Sequence, residues 1–173
     1  AAELARLEEQ LARALAGDGL DSELALTAGL LHNLGLSVTA LFAPKAFRSV
    51  MLAAERGEQL GPVEEDVLGF THAELGAMLA SRWAYPPELV QAIAEHDADE
   101  PSTQLAALIQ VADLAVRTVG IGIESPLPVR PEVARLARVE LDVVADRLAP
   151  LLAAQERLEQ RMAQELEKTG ELA

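Results

Sequence analysis

The chain has 173 residues, enough to bury a core as one domain or as one domain with an appendage. Half of it is apolar but only 3% is aromatic, so the core must be built from Leu, Ala and Val, which favours helix over strand. A formal net charge of −14, from 28 acids against 14 bases, speaks against nucleic acid and anionic membrane surfaces as partners, and the absence of cysteine excludes disulfides, thiol chemistry and Cys-type zinc sites.

Leu4, Leu7, Leu11 and Leu15 recur at three- and four-residue spacing and predict a helix over 1–16, stopped by Gly17 and Gly19. Its acidic start lacks the basic n-region of a signal peptide. The first residue is not Met, so a longer parent chain is expected. No apolar run is read as approaching the ~20 residues of a membrane span. A second helix is predicted over 22–34, capped by Asp21 or Ser22 and ended by Gly35. It is apolar nearly all round and is expected to be buried. It sets His32 and Asn33 side by side at its end, as a polar island that must find partners.

A short helix over 36–43 follows, and Pro44 opens another to about Arg56 with Phe47, Val50 and Met51 facing inward. Pro62 opens a short helix through Val67. Thr71-His72-Ala73-Glu74 is a capping box starting a helix through Trp83, which is read as a core anchor. Pro86-Pro87 opens the next helix, which ends at Glu95 or His96, and the acidic 97–100 is a loop. Ser102 is expected to cap a helix through Val119. The Gly/Pro-rich 120–130 is the candidate hinge. Pro131 opens a final helical region to about Lys168, with Pro150 expected to break or kink it. Leu151, Leu158, Met162 and Leu166 form an apolar stripe on that tail. No strand alternation is present, so the predicted fold is all-α.

The chain has three histidines, His32, His72 and His96, and each falls at a predicted helix end. Histidine is the side chain most used as a divalent-metal ligand and as an acid or base near neutral pH. Asp113 lies mid-helix in the apolar run ALIQVADLAV, where an unpaired carboxylate is costly. The four could converge on one site. Each also has a plainer reading. His32 and Asn33 can be a hydrogen-bonded pair tying the helix to a loop, and His72 a first-turn residue packing locally. His96 can be a residue favoured by the helix dipole, and Asp113 a buried acceptor for His32 or backbone.

LLHNLG, then FTHAELGAMLASRWAYPPELVQAIAEHD, then ALIQVADLAV resembles the HD superfamily, and within it the HDOD (HD-related output domain) branch, over roughly residues 20–120. The resemblance implies a compact helical bundle over 1–120, with 121–173 as a linker and helical C-terminal extension that packs on it or on a partner. Catalytic members of the superfamily are metal-dependent phosphohydrolases. On their pattern His32 and Asp113 fall at ligand positions, while His72 and His96 resemble the extra histidines of the cyclic-dinucleotide phosphodiesterase branch.

Two departures argue against catalysis. Asn33 stands where the metal-bridging acid belongs, and an amide offers one neutral oxygen in place of two charged ones. No histidine precedes His32; Glu8 and Glu9 occupy that neighbourhood. The HDOD branch is associated with bacterial signal transduction and regulation. The expectation is a non-catalytic cytoplasmic regulatory module, with no cofactor beyond a vestigial divalent metal. It would act on a protein partner or second domain, or on a second copy through the C-terminal helix. The alternative is a phosphohydrolase or cyclic-dinucleotide phosphodiesterase holding metal at His32, His72, His96 and Asp113. Of basic residues near these positions only Arg82 and Arg117 are read, a sparse lining for a phosphate.

Overall fold

A computed structural model describes the backbone of residues 2–16, 19–119 and 128–169, and the side chains of 9–16, 19–119 and 128–164. Among the described residues the chain forms ten helices and no strand, an all-α bundle of HD type. They are α1 (Ala2–Leu15), α2 (Ser22–Leu31), α3 (Leu34–Phe42), α4 (Pro44–Glu55), α5 (Leu60–Leu68), α6 (His72–Arg82), α7 (Pro87–Glu95), α8 (Gln104–Arg117), α9 (Pro131–Ala137) and α10 (Leu141–Thr169).

The core is organised around α8. From Leu105 to Arg117 every residue but Leu114 is buried. Leu105, Leu108, Ile109, Val111 and Val116 meet Leu11 and Leu15 of α1, Leu89 and Ile93 of α7, and Val133, Val144 and Leu148 from the C-terminal region in one hydrophobic cluster. A helix apolar on all sides, save for a few polar residues, can be covered only from all sides. A smaller cluster of Val50, Ala54 and Leu60 joins α4 to α5.

Local signals account for most starts and stops. The Asp21 carboxylate accepts from the Glu23 N–H at 2.9 Å and caps α2. The Thr71–Glu74 capping box forms with both of its hydrogen bonds, and Gly69 ends α5 in the left-handed region. Several expectations are corrected. Gly35 does not end a helix: α2 stops at Leu31, and Gly35 is the second residue of α3. A β-carbon there would sit 2.0 Å from the His72 carbonyl oxygen, so this glycine permits a close helix crossing. Pro62 lies inside the first turn of α5, which begins at Leu60.

The cap of α8 is Thr103, whose hydroxyl accepts from the Ala106 N–H, whereas Ser102 donates its N–H and hydroxyl to Glu95. The C-terminal region breaks at Arg138, which takes a left-handed conformation (φ 58°), and α10 runs on through Pro150. Trp83 is no core anchor: it follows α6 at the surface and is 55% exposed. Of the candidate hinge, 120–127 lies outside the described residues.

Taken together, Ser22–Phe42 is by length and composition long and apolar enough to cross a membrane, contrary to the sequence expectation. In this fold α2 packs on α1, α7 and α8, and α3 packs on α4 and α6. Only Ala25, Ala28 and Gly29 of α2 are buried, and Leu30 is exposed, so α2 is less enclosed than its composition suggests.

Candidate functional site

The turn between α2 and α3, the first turn of α6, the end of α7 and the middle of α8 bring the three histidines and Asp113 into one buried polar cluster. The His96 ring lies 4.9 Å from His32 and 5.1 Å from His72, centroid to centroid. Three further residues complete the set: Glu64 from α5 and Asp97 after α7, which the sequence does not single out, and Arg117, legible there only as a lining base. Arg82 lies exposed at the end of α6.

His32 Nδ1–H donates to the Gly29 carbonyl at 2.7 Å. With that proton placed, Nε2 is an acceptor, and the Asn33 amide Nδ2 donates to it at 2.7 Å. Burial, reinforced by the neighbouring His96, pushes the His32 imidazole down to about 3, so it is neutral. Asn33 thus serves as the partner of His32, filling the lone pair that a metal would use.

His72 is held in the opposite state. Glu64, itself buried, takes both the His72 backbone N–H at 2.9 Å and the ring Nδ1–H at 2.7 Å on one carboxylate oxygen. Nε2 faces Asp97 Oδ2 and His96 Nε2, each at 3.2 Å. Burial would lower this imidazole, but the hydrogen bonds and charges of Asp97 and Glu64 outweigh it and raise it to about 9. His96 donates Nδ1–H to the Ile93 carbonyl at 2.8 Å, leaving Nε2 as the acceptor for His72.

Asp113 does not reach for a histidine. Arg117, one turn on along α8, grips it with both ends of the guanidinium: Nε donates to Oδ1 at 3.0 Å and Nη2 to Oδ2. The same Nη2 lies 3.7 Å from Asp97 Oδ1. Burial pushes the Asp113 carboxyl up, and the Arg117 charge opposes it. Asp97, with a side chain 33% exposed, is the pocket's outlet to solvent. Partial burial works to raise its carboxyl, but His96, His72 and Arg117 together hold it well below the usual carboxylate range.

The HD fold implies divalent metal, so the residues can be tested against one. A two-metal centre does not fit. The ring nitrogens of His32 are hydrogen-bonded to Gly29 and Asn33, and both Asp113 oxygens are on Arg117. The expected ligand set of His32, His72, His96 and Asp113 is therefore divided. What remains is His72, His96 and Asp97, whose ligand atoms lie within 4.8 Å of one another. Their separations of 3.2, 3.2 and 3.6 Å are near the ~3.4 Å expected between donors on one tetrahedral ion with bonds of about 2.1 Å. Asp97 directly follows His96 in sequence, which was the available signal for it.

A helical bundle centred on α8, with histidines at the ends of adjoining helices, defines an HD-type domain. The HDOD domain family model matches residues 1–99, and the chain belongs to that family. Ribonuclease Y from Thermus thermophilus is 36% identical over 96 residues, and Ribonuclease Y from Geobacter metallireducens is 34% identical. These alignments take in 55% of this chain but only 12% and 14% of the two relatives.

Three solved structures share the fold. A candidate signal transduction protein from Marinobacter aquaeolei has a TM-score of 0.77 at 22% identity, over 92% of this chain and 38% of that one. A candidate phosphohydrolase from Shewanella amazonensis has 0.64 at 27%, over 87% and 57%. The MmoQ response regulator from Methylococcus capsulatus has 0.65 at 21%, over 85% and 59%.

Proposed function

We propose that this chain is a non-catalytic regulatory module of a bacterial signalling system, acting through contacts with another protein or domain. The observation that carries the reading is that Asp113, at a ligand position of the HD pattern, is held by Arg117 through both oxygens, while Asn33 fills the open lone pair of His32. A pocket whose polar groups satisfy one another holds five helices or their ends together, and the outer faces are left to meet a partner. The HDOD assignment and the likeness to a candidate signal transduction protein support the same reading.

The competing reading is a metal-dependent phosphohydrolase, favoured by the spacing of His72, His96 and Asp97. RNA, the substrate class in the name of the Ribonuclease Y relatives, is disfavoured by a net charge of −14. Elemental analysis of protein purified without chelator, with a hydrolysis assay on cyclic dinucleotides and on bis-(p-nitrophenyl) phosphate in added Mn²⁺, separates the two. The regulatory reading expects no stoichiometric metal and no turnover. Stoichiometric metal in the wild-type chain, above all with hydrolysis, would overturn it.

A further inference from the structure

We propose that the Arg117 guanidinium is the built-in cation of this pocket, and that removing it turns His72, His96, Asp97 and Asp113 into a site for a divalent transition-metal ion. One nitrogen, Nη2, serves both carboxylates: it bonds Asp113 Oδ2 and lies 3.7 Å from Asp97 Oδ1. Asp97 turns its other oxygen to the two imidazoles, 3.2 Å from His72 Nε2 and 3.6 Å from His96 Nε2. The guanidinium therefore sits at the focus of two acids, one of which already belongs to a His–His–carboxylate triangle of metal-binding dimensions.

Its side chain is 9% exposed and that of Asp113 is 4% exposed, so bulk solvent screens this pair poorly. Without Arg117, Asp113 loses its cation and Asp97 keeps only the His72 imidazole, and a divalent ion is the compact group that can serve both carboxylates. The His72 Nε2 proton, now pointed at Asp97 and His96, leaves to solvent when that nitrogen takes the ion. Asp97 gives the ion a route in, since it is the member of the triangle that reaches the surface. Imidazole and carboxylate donors suit Mn²⁺, Fe²⁺, Co²⁺ or Zn²⁺.

The inference rests on the regulatory reading above, in which the native pocket holds no metal. Its test is Co²⁺ titration of the full chain as wild type, Arg117→Met, and the double variant Asp113→Asn with Arg117→Met. Readouts are visible absorption, calorimetry and the thermal midpoint. Wild type is expected to take up no stoichiometric Co²⁺. Arg117→Met is expected to take up about one equivalent, with an absorption spectrum of nitrogen-ligated Co²⁺ and a raised midpoint.

The double variant replaces both partners of the buried pair with neutral groups, which is far less disruptive than removing one. It is expected to bind more weakly, through His72, His96 and Asp97, and to lose the ion when His96→Gln is added. If neither variant folds alone, recovery of the helical circular dichroism signal on adding Co²⁺ supports the proposal and its absence overturns it. A folded variant that takes up no Co²⁺ overturns this inference alone. Stoichiometric uptake by wild type, with Arg117 in place, overturns the regulatory reading as well.

Discussion

His32 and His72 are both buried in one pocket, yet they are held in opposite protonation states. His32 is hydrogen-bonded to Gly29 and Asn33 and faces His96, with Asp97 and His72 beyond; burial and His96 lower it to about 3. His72 lies between Glu64 and Asp97, with His96 at its Nε2, and is raised to about 9. The consequences for stability have opposite signs. Between about pH 3 and 6.5 the unfolded chain protonates His32 while the folded one does not, so the His32 contribution to stability rises with pH over that range, against an opposite contribution from the Asp113 carboxyl that burial raises. Between 6.5 and about 9 the folded chain keeps the His72 proton that the unfolded one has lost, so stability falls as pH rises. Each limb has a slope of up to about 1.4 kcal/mol per pH unit. Thermal melts from pH 4 to 9.5 should therefore peak near 6.5, and His72→Gln should flatten the alkaline limb while leaving the acid limb. An alkaline limb that keeps its slope in that variant would remove His72 as its source. His32 and Asp113 were legible in sequence as polar residues placed in apolar surroundings, and His72 and His96 as histidines at helix ends. Glu64 and Asp97 were not, because eight residues separate Glu64 from His72 and the acidic 97–100 reads as a solvated loop. The Asp113–Arg117 pair was visible in principle as an i, i+4 spacing, but burial is what makes it decisive.

The crossing of α3 over α6 fixes where His72 points. Gly35 meets the His72 carbonyl, and Gly76 faces back toward the Gly35 nitrogen and the Ile93 side chain. The two helices approach so closely that an added β-carbon at 35 would overlap backbone, which cannot rotate away as a side chain can. Gly35→Ala is expected to cost about 3 kcal/mol or more, read as a lower denaturant midpoint, and to displace His72 from Glu64. A variant within about 0.5 kcal/mol of wild type would show that the helices separate freely, against the observed packing. Several helix boundaries were legible where a residue acts through its own backbone: Pro44, Pro87 and Pro131 open helices, and Thr71 with Glu74 caps one, although Pro62 sits two residues inside the helix it was expected to open. They were misread where a tertiary contact sets the role. Gly35 has the sequence signature of a helix end but is used for close approach. Trp83 has the composition of a core residue, but it follows the last turn of α6, at a position the bundle does not cover.

At the scale of the whole molecule the C-terminal helix divides in two. Val144 and Leu148 are buried in the main cluster, and Leu151 and Leu152 pack against it. Beyond them α10 runs on to Thr169 with Leu158 and Met162 of the predicted stripe exposed among the described residues, while the Leu166 side chain lies outside them. The anchored part should carry stability and the outer part should not. Leu148→Ala removes buried methyl groups and is expected to cost about 2–5 kcal/mol. Leu158→Ser with Met162→Ser exchanges surface that is already wet and should change unfolding free energy by no more than about 0.5 kcal/mol per site. Denaturant melts of the two variants, run beside light scattering at matched concentrations, make the comparison. If the serine pair destabilises the chain as much as Leu148→Ala does, and the loss grows on dilution, the outer stripe is covered by a second copy in solution. If the loss is the same at every concentration, the stripe folds back on its own bundle. A negligible loss leaves α10 as a helix anchored by its first three turns, with its outer turns free of any structural duty in this chain.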